Sequence, residues 1–322
     1  MRIYQTNYKD QRAVALESDS ARFLFLPDTG AGMASAYSKT LGKEYLVQRP
    51  EPAYLRQPFD GSYVEAECGG MDDMFPTIDR YTYDRFPWTG AVLADHGEVW
   101  NLPCRFEILD QEVCFTCHGV RLPYQFQKRV TMAAEDTILL RYRVENPTPF
   151  PMDFLWAGHT MVNSEPGLRL HVPDDCTKGI AVFSNTGRIG GFGNRFAYPV
   201  FTDAQGRKHD VSCMADRGGN CEKYYFENKL RQGWCAVSYP AGDLFALSFS
   251  ADKVPYLGIL HNEGDFHGLY NIFLEPCTSA FDRPDIARLF GQNTAIPAQG
   301  SCEWSMAVCI GRQKLSDAIL PL

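Results

Sequence analysis

The sequence predicts an all-β protein: one large antiparallel β-sandwich spanning residues 1–322 as a single domain, with one or two short helices. Three observations carry this expectation. Apolar residues recur with a period of two in run after run; Gly, Pro, Asn and Asp separate the runs; and helical signals are concentrated in a single segment. With 45% hydrophobic and 22% charged residues the chain can bury a large core, and sandwiches reach this length undivided.

In chain order, the first strand-like run is "RFLFLP" (Arg22–Pro27), followed by "RFEIL", "EVCFTC" and "FQKRVTM" between Arg105 and Met132. The clearest is "DTILLRYRVEN", where Ile138, Leu140, Tyr142 and Val144 alternate with Leu139, Arg141, Arg143 and Glu145, as in a half-buried antiparallel strand. "DFLWAGHT", "LRLHV", "WCAVSY", "LFALSFS" and "YLGIL" continue the series to Leu260. "YNIFLEP" then places Tyr270, Ile272 and Leu274 on one face and Asn271, Phe273 and Glu275 on the other. "FDRPDIARLFGQ" reads as a short surface helix with Asp282 as cap, Pro284 in the first turn and Gly291 at the end. The last strand, "CEWSMAVCIG", lines up Trp304, Met306, Val308 and Ile310. No low-complexity linker or internal repeat interrupts the pattern, and "GGFGNRF" and "DRGGN" read as long loops.

A net charge of −8 would repel nucleic acid and anionic membrane surfaces, so neither is expected as a partner; a small neutral molecule is. The amino terminus lacks an apolar signal-peptide core and no segment approaches a membrane span, so a cytoplasmic location is expected. Eleven scattered cysteines, an odd number, read as reduced buried thiols. "CFTCH" at Cys114–His118 matches the haem-attachment string, but on a strand Cys114 and Cys117 point to opposite faces. No ligand spacing requires a metal, and no cofactor is expected.

Four stretches carry polar groups that a plain sandwich core does not need. "CGGMDDMFPTIDR" (Cys68–Arg80) is turn-rich and brings Asp72, Asp73 and Arg80 among Met71, Met74, Phe75 and Pro76; "DHGEVW" (Asp95–Trp100) contains His96. "FLWAGHTMVN" ends a strand on His159, and "NIFLEPCTSAF" ends an apolar run on Glu275 immediately before Pro276. Singly, each has a plain structural explanation: a turn residue, a hydrogen-bonded core histidine, a solvated loop tip, a strand end facing water. Together, a carboxylate and two histidines form a general acid/base set for chemistry at neutral pH.

On these fragments the sequence resembles the aldose 1-epimerase, or galactose mutarotase, superfamily of β-supersandwich proteins. The resemblance runs from "FLPDTGAGMASAYSKTLGKEYL" through "GGMDDMFPT", His96–Gly97, "WAGHTM" and "LRLHVP" to "LEPCT" and "IPAQGSCEWSMAVCIG", nearly the whole chain. It implies an isomerase that interconverts the anomers of a sugar. Glu275 would be the general base on the anomeric hydroxyl, His159 the general acid on the ring oxygen, and His96 a hydrogen-bonding partner near that oxygen. Relatives that act on hexose 6-phosphates resemble "RGG" and "HGFAR" where this chain has Cys68 and Trp100, so bidentate arginine partners for a phosphate are missing. An unphosphorylated sugar is expected, with Arg80 and Asp73 binding hydroxyls, Phe75 or Trp88 stacking on the ring, and the chain a monomer or homodimer. Two alternatives stay open: a carbohydrate-binding or sensing module without chemistry, and a lyase or hydrolase acting on an oligosaccharide, with Asp73 as a second carboxylate.

Overall fold

A computed structural model describes residues 1–322. Two antiparallel sheets account for most of the chain. The larger has 12 strands; its centre runs from Gly32–Ser38 through Met71–Met74, Ala157–Asn163, Tyr270–Cys277 and Tyr256–Glu263 to Cys221–Phe226. The smaller has 8 strands, with Gly300–Gly311 and Thr137–Asn146 at its middle. The period-two runs become strands because alternation gives each an apolar face. Ile138, Leu140, Tyr142 and Val144 are buried, and so are Trp304, Met306, Val308 and Ile310, which meet them across the register Tyr142↔Trp304 and Leu140↔Met306.

The main core lies between the sheets and takes Tyr270, Ile272 and Leu274 from the strand Tyr270–Cys277. A second cluster covers the other face of the large sheet and takes Phe273 and Cys277 from the same strand, together with Met161, Ile180, Tyr225 and Tyr63. This strand is therefore buried on both faces, and the cluster on its second face is completed by Tyr63, Ala66 and Cys68 from the irregular segment 49–70 and by Ile78 and Trp100.

Two local expectations are corrected. "MDDM" is a buried central strand, Met71–Met74, rather than a turn-rich loop tip. The short helix is Pro284–Leu289 and Gly291 follows it at φ +65°, but its cap position is Arg283 and no side chain caps it. Asp282 is directed elsewhere. All eleven cysteines are unpaired; Cys117 lies in the main core, while Cys114 faces away from it, 4.0 Å from Thr116 Oγ1. No helix is long and apolar enough to cross a membrane.

Candidate active site

Strand register assembles a polar row across the middle of the large sheet. Asp72 pairs with His159; Ala157 with Cys277 and Thr160 with Leu274, which sets His159 opposite Glu275. Glu275 in turn pairs with Gly258, and Gly258 with Tyr225. Paired residues share a face, so Asp72, His159, Glu275 and Tyr225 all project away from the main core.

Glu275 is fully buried. Its Oε2 lies 2.7 Å from Lys223 Nζ, which also contacts Asp282 Oδ1 at 2.8 Å, and Tyr225 donates its hydroxyl to the same Asp282 oxygen at 2.6 Å. Gly258 makes this cluster possible, since a Cβ there would sit 3.0 Å from the Tyr225 ring and 3.4 Å from Glu275 Cβ. Asp282 reaches Lys223 from a turn in which Phe281 and Asp282 both have positive φ, +70° and +62°, a conformation unusual for bulky residues. Burial raises the Glu275 carboxyl above its ordinary range, and Lys223 counteracts that rise. Burial also works against the Lys223 charge, but Asp282 and Glu275 outweigh it and the ammonium is held protonated.

Glu275 Oε1 has no hydrogen-bond partner and faces His159, whose Nε2 is 3.9 Å away. That gap is too long for a direct hydrogen bond and short enough for one hydroxyl to touch both groups. The other ring nitrogen of His159, Nδ1, lies 3.3 Å from the Tyr63 hydroxyl, which donates to Asp72 Oδ2 at 3.0 Å. Phe273 and Tyr63 meet the imidazole edge-on, with centroids 4.9 and 5.3 Å away. Burial, His96 and Lys223 push the His159 pKa well below the ordinary histidine value, so the ring is neutral.

His96 stacks on Tyr63 at 4.3 Å, and its ring centroid is 5.5 Å from that of His159. Its position depends on the turn: His96 has φ +58° and Gly97 φ +75°, and a Cβ on Gly97 would lie 2.3 Å from the Phe75 carbonyl oxygen. Asp95 Oδ1 lies 3.0 Å from His96 Nδ1. Burial opposes the Asp95 charge, yet His96 and the Tyr63 N–H hold its carboxyl below the ordinary range.

Tyr63, His96, His159 and Phe273 line a cleft of about 190 Å³, together with Leu260 and Phe266. The expected trio of Glu275, His159 and His96 is thus brought together, with Glu275 at the floor behind His159. The four expected substrate-binding residues are not, and they are corrected here. Asp73 points to the opposite face, where it is fully buried and accepts from Lys128 Nζ at 2.6 Å and Trp156 Nε1 at 2.9 Å. Phe75 packs in the main core against Tyr124, Phe126 and Phe154. Trp88 meets Tyr83 and Phe150 away from the cleft. Arg80 is exposed, pairs with Asp60 at 3.0 Å, and touches the site only through a long-range effect on Asp95.

Lys223 and Tyr63, absent from the sequence expectations, join this cluster, as do Asp72 in place of Asp73 and Asp282 in place of a helix cap. "CEKYYF" contained the one available signal, a lysine inside an aromatic strand. Asp282 has a cap-like sequence context that concealed its use, and the choice between Asp72 and Asp73 required the face of a strand the local pattern did not reveal. No three His, Cys, Asp or Glu side chains converge as a metal site would need.

No protein-family model matches the chain, and no curated protein does. Solved structures do. The Slr1438 protein of Synechocystis sp. PCC 6803 superposes with a TM-score of 0.69 at 15% identity over 96% of this chain and 100% of its own. A galactose mutarotase-like protein of Clostridium acetobutylicum gives 0.67 at 12% identity, over 97% and 99% of the two chains. A galactose mutarotase related enzyme of Lactobacillus acidophilus gives 0.63 at 12% identity, over 99% and 100%. At these identities the likeness establishes the fold, the galactose mutarotase-like sandwich over essentially the whole chain.

Proposed function

We propose that the protein is an aldose 1-epimerase-like isomerase that interconverts the anomers of an unphosphorylated sugar. The observation that carries this reading is the meeting of Glu275 Oε1, unpartnered, with His159 Nε2 at 3.9 Å beside an open cleft. Glu275 removes the proton of the anomeric hydroxyl O1 while His159 delivers one to the ring oxygen O5. The C1–O5 bond breaks, the open-chain aldehyde turns about C1–C2, and reclosure with the roles reversed gives the other anomer. O1 and O5 are bonded to the same carbon, so a base and an acid this close can serve both. His96, fixed by its turn and stacked on Tyr63, supplies a further hydrogen bond at the same edge of the ring.

The cleft supports a neutral substrate. No arginine or lysine lines it, Lys223 behind it is already shared by Glu275 and Asp282, and Cys68 lines the wall where a phosphate-binding arginine would otherwise stand. Leu260, Phe266 and Phe273 offer apolar surface for a sugar face. The hydrolase alternative is weakened because Asp73, its second carboxylate, is committed to Lys128 on the far side of the sheet.

Saturation-transfer NMR against a panel of free aldoses tests the proposal. Accelerated anomer exchange is expected for at least one sugar, and Glu275→Gln is expected to reduce it by about 10² to 10⁴-fold with the fold retained. Binding without acceleration would select a sugar-binding module instead.

A further inference from the structure

A neutral imidazole can act as an acid only if the nitrogen facing the substrate carries the proton, and if that proton is replaced from behind as it leaves. Three buried groups stand in line to do so. Asp72 Oδ2 is 3.0 Å from the Tyr63 hydroxyl, and that hydroxyl is 3.3 Å from His159 Nδ1. This chain of hydrogen bonds has two possible directions. With Asp72 ionised, Tyr63 donates to it, and the phenol oxygen can only accept from Nδ1–H; Nε2 is then a bare acceptor. With Asp72 protonated, its O–H donates to Tyr63, Tyr63 donates to Nδ1, and the imidazole proton sits on Nε2, towards Glu275 and the cleft.

We propose that Asp72 is a positioning residue that sets the tautomer of His159 through Tyr63, the three groups acting as a neutral proton relay. This deepens the epimerase reading and rests on it. In the forward step the Nε2–H bond breaks as O5–H forms, Nδ1 takes the Tyr63 proton, and the Tyr63 oxygen takes the Asp72 proton. Glu275 meanwhile takes the O1 proton, so one carboxylate is gained and one lost and the net charge of the site is unchanged. Reclosure runs the same transfers backwards.

The surroundings of Asp72 suit a carboxyl that holds its proton. Burial pushes its pKa up to about 7, against the lowering effects of Tyr63 and Lys128 and with Asp73 and Glu67 raising it further. Tyr54 and Cys68 complete the titratable groups around it. It borders two voids of about 10 Å³ each, room for about one water apiece. Gly32 leaves it space, since a Cβ there would sit 2.3 Å from Asp72 Oδ1.

The test is ¹⁵N NMR of the His159 ring as a function of pH, which reads the tautomer directly. The relay predicts Nε2–H below about pH 7 and Nδ1–H above it, with Asp72→Asn locking Nε2–H at every pH and Tyr63→Phe abolishing the response. In turnover, Asp72→Asn should lose about 10²-fold, and the fall of kcat/KM above neutrality should vanish with it. One tautomer throughout the wild-type titration, or an alkaline limb unchanged in Asp72→Asn, overturns the relay. The outcomes separate the two proposals: a tautomer switch without anomer exchange sinks the epimerase reading alone, and exchange without a switch sinks the relay alone.

Discussion

Two buried ion clusters draw on opposite faces of the strand Cys221–Phe226, which gives Glu222 to one and Lys223 to the other. On the core-facing side Arg188 holds Glu222 and Glu263, donating Nε to Glu222 Oε1 at 2.7 Å and Nη2 to Glu263 Oε1 at 2.8 Å. On the cleft side Lys223 holds Glu275 and Asp282 at 2.7 and 2.8 Å. Each is one cation shared by two carboxylates, yet they differ in what they leave over. The planar guanidinium satisfies both glutamates with aligned hydrogen bonds. The lysine neutralises Glu275 as a point charge and leaves Oε1 free beside His159. The first closes a structure, whereas the second neutralises its glutamate and still leaves without a partner the oxygen to which the proposed function assigns the proton transfer.

That contrast is broken most directly by removing each cation. Arg188→Met should cost about 3–5 kcal/mol in denaturant unfolding, because two buried carboxylates lose their partner, while anomer exchange per folded molecule stays unchanged. Lys223→Met should also destabilise, but with a functional signature: Glu275 loses its lowering influence, so exchange falls at pH 7 and the acid limb of the pH profile moves to higher pH. Equal pH profiles for the two variants would show that the clusters do the same job.

A smaller effect sharpens the description of the core-facing cluster. His261, buried beside it against Tyr224, is held down to about pKa 3 by burial and by Arg188. Its folded pKa lies below the unfolded value, so its contribution to stability is present above about pH 6.5 and is lost as pH falls towards 3. Wild-type stability should therefore decline over that window by on the order of 1 kcal/mol per pH unit from this group, and His261→Leu should flatten the decline in unfolding experiments. The smallest effect belongs to Arg80. Its exposed pair with Asp60 predicts less than about 1 kcal/mol for Arg80→Ala and an unchanged KM; a large rise in KM would return it to substrate binding.

Neighbouring residues show what was legible in the sequence. The face of Glu275 could be read from alternation, because "YNIFLEP" obeys its period without interruption and Phe273 does share the glutamate's side of the sheet. The choice between Asp72 and Asp73 could not. Both lie in a four-residue strand with no pattern of its own, and each acid is accepted in the interior only because a partner from outside the strand meets it: Lys128 for Asp73, Tyr63 for Asp72. Asp282 was concealed in the same way, since its sequence neighbours form a plausible helix start while its partners, Lys223 and Tyr225, lie nearly sixty residues back.

The sequence by itself determined the β-rich sandwich and the burial pattern of its main strands, and it singled out Glu275, His159 and His96 as the groups to look for. Those follow from period-two alternation and turn chemistry, which act over a few residues, and from a resemblance spread along the chain. Only the tertiary structure decided which charges meet. It put Lys223 on Glu275, sent Asp73 to the core and Asp72 to the opposite face beside Tyr63, and set Arg80, Phe75 and Trp88 apart from the cleft. The physical reason is that a buried charge is tolerated according to what stands opposite it, and strand register fixes that partner across long stretches of chain.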